Sequence, residues 1–317
     1  MISVIVPTAN RPQLVTRAVK SALAQSLTNI EVVIVIDGPD PETTQALNAI
    51  ADHRLRLIQN ARPLGSAEAR NVGVRAAQGE WVAFLDDDDE WLKDKLELQL
   101  AVTSPDSFVI VSCLNYVVTS LQRYIWPRRV YDNACPLDEY LFDRRSWFRG
   151  DVMLQCSSLL MPRQLCLELM FRPVHDDWDM LLRAAKGRGV EIVTVRQPLV
   201  IHHTEDGRES LGASFDWRNS LDWADTHRFL FSRRAYAGFC LTIISPQAAK
   251  AGDHLAFFVL LYRALRHGSP RPIQLALYLA IWLIPMRRRQ KLRSLWYRRP
   301  PSRVVASASG CGQLPPT

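Results

Sequence analysis

Three short apolar runs, SVIVP at residues 3–7, EVVIVI at 31–36 and WVAFL at 81–85, constrain this chain more than any other feature. Each is brief and rich in β-branched or aromatic residues, so each reads as a buried strand. Between them the period changes. Residues 13–25 set Leu14, Ala18, Ala22 and Leu23 on one helical face, 43–51 read as a second helix, and 54–59 alternate as a further strand. Strands alternating with helices are βα units, and such units build a mainly parallel sheet.

The pattern continues past these runs. Gly65 and Ser66 open a helix through Ala77, and Gly79 closes it, where a positive φ is expected. Strands are predicted over 109–118 and 152–161. A helix over 176–186 has Trp178, Leu181, Leu182 and Ala185 on its apolar face and is ended by Gly187 and Gly189. One or two strands follow over 191–203, broken at Pro198. Beyond residue 215 the signal is helical, with 215–234 and 253–266 as candidates, and the Pro/Ser/Ala/Gly-rich stretch from 300 predicts a disordered tail. The predicted division is a sheet-bearing domain over 1–215, a helical region over 216–299 and a tail over 300–317.

Charge is unevenly spread. The net charge is +7, yet MRRRQKLRSLWYRR at 286–299 holds seven basic residues and no acid. An apolar stretch over 273–285 adjoins it and is shorter than the ~20 residues a membrane-crossing helix needs. Two readings stand: an interfacial segment with arginines on anionic headgroups, or a core helix followed by a solvated basic face. No nucleic-acid-reading module accompanies the basic run. The six cysteines form no CxxC pair, which fits free thiols in a reducing compartment. The amino-terminal residues carry no secretion-signal pattern.

Chemistry concentrates in the acids. Asp86, Asp87, Asp88 and Asp89 stand in a row at the end of a buried strand, and nothing in the local sequence pairs them. A divalent cation would resolve the repulsion, since Mg²⁺ and Mn²⁺ take carboxylate oxygens and commonly enter with substrate phosphates. A solvated acidic loop is the alternative. Against it, the run abuts a strand and precedes Trp91 and a helix with Leu92, Leu96 and Leu100 on one face. Ligands of open α/β sheets gather beyond the carboxyl ends of the strands, a rim that Asp37 shares. Asp37, before Gly38 and Pro39, is either a turn residue accepting backbone N–H bonds or a partner for a base or ribose. Asp176 and Asp177 either cap a helix or present a general base. His202 and His203 end a strand facing opposite ways, so one of them could reach a metal or phosphate.

Together the segments VIVPTANRP, EVVIVIDGPD, GSAEARNVGVRAAQGEWVAFLDDDDEW, HDDWDMLLRAA and PLVIHHTEDGRESL resemble the successive motifs of family 2 glycosyltransferases over residues 1–215. The resemblance implies a doubly wound, mostly parallel sheet of the A-type nucleotide-diphospho-sugar transferase fold. It also implies roles. Pro7 and Thr8 line the nucleotide pocket, Asp37 hydrogen-bonds the base, and Arg70 holds the nucleotide. Asp86 and Asp88 form the DxD pair at the ribose and the metal, Asp87 lies beside the donor, and Asp89 follows as a further metal ligand. Asp177 is the catalytic base, with Asp176 in place of the usual Glu, and His203 helps hold the metal and diphosphate. The four-Asp run also permits the register Asp87 and Asp89, but FLDDDDEW aligned with Phe-Leu-Asp-x-Asp-Asp-x-Trp favours Asp86 and Asp88. Where the family often carries Asp-Asp-Gly-Ser, this chain has Ile36, Asp37, Gly38 and Pro39, so one acid is missing.

The implied activity is inverting transfer of a sugar from a nucleotide-diphosphate donor, first of all a UDP-sugar, to a hydroxyl of a glycan or lipid-linked saccharide. Mn²⁺ or Mg²⁺ is the implied cofactor. The expected place is the cytoplasm, with peripheral attachment to the inner face of the membrane if the interfacial reading of residues 273–299 holds. A nucleotidyltransferase of related sheet would need a Gly-rich loop after the first strand, where PTANR has none, and a dinucleotide-dependent oxidoreductase would need GxGxxG. A non-catalytic nucleotide-sugar-binding module would have lost the DxD acids or the base, and this chain has both.

Overall fold

The apolar runs become strands, in a computed structural model that describes residues 1–103, 108–120, 122–147, 151–204, 216–284 and 288. β1 (Ile2–Thr8), β2 (Ile30–Ile36), β3 (Leu55–Gln59) and β4 (Trp81–Phe84) lie parallel in the order β3-β2-β1-β4. Both faces of β1 are buried, which explains why its sequence shows no polar alternation. Beyond β4 the sheet changes character. β8 (Leu160–Pro162) joins β4 antiparallel, β6 (Ile110–Val118) joins β8 antiparallel, and β9 (Ile192–His203) runs parallel to β6. β5 (Glu90–Trp91) pairs with β9, and β7 (Arg123–Trp126) folds back on β6. The run of parallel neighbours is thus β3-β2-β1-β4, and β6 with β9 is a further parallel pair set among antiparallel ones.

Helices cover both faces. α1 (Pro12–Leu23), α2 (Pro41–Asn48) and α4 (Lys95–Leu100) bury Val15, Leu47 and Leu96 in a core with Val4, Val6 and Ile34. The opposite face, with Ile5, Val33 and Val35, takes α3 (Ser66–Ala76), α6 (Arg163–Leu169) and α7 (Asp176–Leu182). Adjacent residues of β1 therefore serve different cores, as the two-residue period requires. The second core continues into α5 (Leu137–Phe142), α8 (Trp217–Thr226), α9 (Arg233–Gly238), α10 (Ser245–Lys250), α11 (Leu255–His267) and α12 (Pro272–Leu283). The apolar stretch expected over 273–285 is α12, and it contributes Tyr278 to this core.

Several expectations change. Gly79 does not adopt a positive φ. A Cβ there would stand 2.7 Å from the Ser3 nitrogen and 2.8 Å from the Met1 carbonyl, so the glycine lets β1 pass. The positive φ, 91°, is at Gly65, on the other end of α3. Residues 152–161 are not one strand, because Cys156–Ser158 form a 3-10 turn before β8. Pro198 does not break β9, since it falls where the register with β6 shifts around Leu114 and the ladder is already irregular. The helix expected over 215–234 ends at Thr226 and resumes at Arg233. The tail over 300–317, most of 285–299 and the motif residues 205–215 lie outside the described residues.

Candidate active site

The carboxyl ends of β1, β2 and β4 bring Thr8, Asp37 and the acidic run to one rim. The acids of the run are met by side chains from other elements. Thr8 Oγ1 donates to Asp87 Oδ2 at 2.8 Å, and Arg11 Nη1 donates to Asp87 Oδ1 at 2.8 Å. Arg11 also lies 3.5 Å from Asp88. Asp86 Oδ1 accepts from Arg70 Nη2 at 2.7 Å, and its backbone N–H donates to Ser157 Oγ. Asp89 is fully buried, with His202 Nδ1 3.0 Å from its Oδ1 and Gln155 at 3.4 Å. The repulsion expected from the sequence is therefore met by Arg11, Arg70 and His202, all distant along the chain. Burial lowers the His202 pKa, but the bond to Asp89 outweighs it and holds the imidazole above its ordinary value. Burial, then Asp89, Asp86 and Asp87, push the Asp88 carboxyl up to about 6 against the pull of Arg11.

The second centre is α7. Asp177 is gripped at both oxygens by one residue: the Cys156 backbone N–H donates to Oδ2 at 3.2 Å and the thiol to Oδ1 at 2.8 Å. Burial, reinforced by the charge of Asp176 and opposed by Arg70, raises Asp177 to about 7. Arg70 connects the two centres, donating from Nη1 to Asp176 Oδ2 at 2.6 Å and from Nη2 to Asp86. It sits in α3 with only 7% of its surface exposed and lies over the Phe171 ring. Val174 and His175, just before the two acids, have φ values of 70° and 54°. Such backbone persists only where its surroundings hold it. The His175 ring stacks on Trp178, meets Trp223 and Phe239 edge-on, and has Nε2 3.0 Å from Ser220 Oγ of α8.

Other expected residues fall nearby. Pro7 is buried within β1 opposite Val35. Asp37 accepts from the Leu64 and Gly65 backbone N–H groups and from Asn60 Nδ2, each at 2.8 Å, so it holds the loop entering α3. The two histidines do face opposite ways, but the contacts divide differently from the expectation. His203 Nε2 lies 2.8 Å from Glu90 Oε1, while His202 reaches the acidic run. Among the described residues no three carboxylate, imidazole or thiol groups gather closely enough to hold a metal ion by themselves. Sequence reasoning missed Arg11, Cys156, Ser157 and His175. Arg11 has a weak signal, as a cation in the loop after β1, whereas a lone cysteine 21 positions from the acid it touches has none.

The family described as Glycosyl transferase family 2 matches residues 3–167. AmsB of Erwinia amylovora, an amylovoran biosynthesis glycosyltransferase, is 28% identical over 256 residues, which are 74% of this chain and 82% of AmsB. WfaP of Escherichia coli, a UDP-Glc:alpha-D-GlcNAc-diphosphoundecaprenol beta-1,3-glucosyltransferase, is 34% identical over 118 residues, 37% of this chain and 47% of WfaP. The solved mannosyltransferase PcManGT of Pyrobaculum calidifontis, in complex with GDP-Man and Mn²⁺, superposes with a TM-score of 0.57 at 20% identity. The superposition covers 94% of this chain and 88% of PcManGT, and it establishes likeness of fold.

Proposed function

The chain belongs to glycosyl transferase family 2 and is a glycosyltransferase, and from that premise we propose that it moves a sugar from a nucleotide-diphosphate donor to a saccharide hydroxyl with inversion at the anomeric carbon. The acceptor is a polysaccharide or a lipid-linked saccharide, as the names of AmsB and WfaP suggest, and a UDP-sugar is the first donor to test. One observation carries the reading. Buried Arg70 ties Asp86 at the sheet rim to Asp176, next to Asp177, so donor-side acids and a raised carboxyl share one cation.

In this reading residues 1–215 hold the chemistry. Pro7, Thr8 and Asp37 line the nucleotide side, with Asp87 fixed between Thr8 and Arg11. Asp177 accepts the proton of the attacking hydroxyl while the oxygen–carbon bond forms and the bond to the leaving diphosphate breaks. A carboxyl near neutrality suits a general base at physiological pH. A single displacement by an activated hydroxyl inverts the centre and needs no carboxylate nucleophile.

A divalent cation, Mn²⁺ or Mg²⁺, fits as a group brought in with the donor. Such ions take one or two carboxylates plus substrate phosphate oxygens and water. Asp86 and Asp88 would supply those carboxylates, while Asp89 and His203 stand behind them, held by His202 and Glu90. When bound, the cation neutralises charge on the leaving diphosphate. Free thiols at Cys113, Cys135, Cys156, Cys166 and Cys240 fit the cytoplasmic side.

Asp177→Asn tests the assignment. Transfer should fall on the order of a thousandfold, as loss of a general base does, with donor binding by calorimetry unchanged. Near-normal turnover in this variant would remove Asp177 from the mechanism.

A further inference from the structure

The last two helices turn large apolar side chains outward. On α11 Leu255, Phe258, Tyr262 and Leu265 are 75%, 67%, 61% and 55% exposed, and their spacing of three, four and three positions lines them along one face. The opposite side of the same helix buries Ala256, Leu260 and Ala264, so α11 is well packed on its inner face. α12 adds Leu279 and Leu283, 46% and 75% exposed. It lies against α11 through Phe257, whose ring is 5.2 Å from that of Tyr278 and 5.6 Å from that of Trp282. A row of exposed large apolar side chains on one helix face marks a contact site.

Charge indicates the partner. Residues 251–299 carry ten Lys and Arg against a single acid, Asp253, a surplus of +9 that leaves −2 for the remainder of a +7 chain. A second copy would bring the same positive surplus with it, so pairing of two copies meets like charge. An anionic bilayer surface satisfies both features, since headgroups attract the cations and the acyl boundary takes the apolar stripe. At 13 residues α11 is about 20 Å long and too short to cross a core of about 30 Å. Among the described residues no helix is long and apolar enough to cross a membrane.

We propose that α11 and α12 form an in-plane anchor on anionic phospholipid bilayers. Leu255, Phe258, Tyr262 and Leu265 enter the acyl boundary and Arg266 meets the headgroups, while the positive surplus of the sequence over 251–299 favours an anionic surface. This docking is separable from sugar transfer. The test sediments the full chain, without any donor, with vesicles of phosphatidylcholine alone or of equal parts phosphatidylcholine and phosphatidylglycerol. Binding is expected to the anionic vesicles only. The double substitution Phe258→Ser with Leu265→Ser should weaken it about a hundredfold, with the melting temperature and slow donor hydrolysis left as in the parent. Absence of binding to either vesicle overturns the proposal. So does equal binding by the parent and the double variant, which would leave charge alone as the cause. A dimer in sedimentation equilibrium that the double substitution converts to monomer overturns it too, because a second copy then covers the face. Loss of transfer by Asp177→Asn leaves vesicle binding unchanged, so failure here and failure of the catalytic reading are told apart.

Discussion

Arg70 holds the two halves of the site in register. Its guanidinium bonds Asp86, 16 positions ahead, and Asp176, 106 positions ahead, from two different nitrogens. A planar fork can serve two carboxylates at once, whereas an ammonium is a point charge on a flexible stem. Arg70→Lys should therefore lower kcat/KM on the order of a hundredfold while keeping the charge, measured on the same donor and acceptor pair as the parent. A loss in KM alone would confine Arg70 to donor binding. In the proposed mechanism Cys156 stands one step further back, as a positioning residue for Asp177. Its thiol bond favours the ionised carboxylate, so Cys156→Ala should raise the acid limb of the kcat profile by about one pH unit. The sign follows from the mechanism: a base works deprotonated, so activity falls as pH drops through its pKa, and a higher pKa moves that fall upward. Cys156→Ser keeps a donor and should restore the parent profile; coincident profiles for the alanine variant and the parent would exclude the role. The acidic run was visible in the sequence because four like charges at a strand end demand an explanation. Its partners were not, because pairings across 76 and 113 positions leave no local trace.

At the scale of elements, legibility followed burial. β1, β2 and β4 were readable because a strand covered on both sides is apolar throughout, and α1 because one face alone is covered. The turn at Cys156–Ser158 was not readable. Apolar and small residues there resemble strand, and only the demand of Asp177 for a backbone donor distinguishes them. The left-handed entry to α7 was equally hidden, since the aromatic cage around His175 comes from α7, α8 and the segment after α9. That cage makes a prediction about pH. Burial, opposed by Asp179, lowers His175 from 6.5 to about 4, so it is neutral in the folded state near neutrality. Between those values the unfolded chain binds more protons than the folded one. The stability held by neutral His175 is thus complete above pH 6.5 and is lost as pH falls toward 4, a change of about 3 kcal/mol at most. His175→Asn tolerates the left-handed backbone and lacks the imidazole. In urea unfolding it should be less stable at pH 7 yet lose less on acidification. Equal losses in both proteins across that window would assign the effect elsewhere.

At the scale of the whole molecule, the sequence suggested a sheet domain with a helical appendage, and the packing shows how closely the two are joined. Phe142 of α5 stacks on Phe231 at 5.4 Å and meets Phe239 at 4.9 Å, and Trp178 of α7 packs on the same Phe239. Trp217, Leu221, Trp223, Leu260 and Tyr278 are buried in the core that also holds Ile5 and Val35 of the sheet. Each large apolar side chain buried this way contributes roughly 1.5–3 kcal/mol, while a domain's whole net stability is about 5–15 kcal/mol. Removing the helices would cost more than the sheet can supply, and it would uncover the cage that fixes His175 beside Asp176 and Asp177. A chain ending at residue 215 should therefore show no cooperative thermal transition and should bind a hydrophobic dye. A chain ending at residue 284, which retains α8 through α12, should melt as the full protein does and keep its transfer activity. A cooperative melt and measurable transfer by the shorter chain would mean that the catalytic half is self-sufficient and that the helices serve only the surface they turn outward.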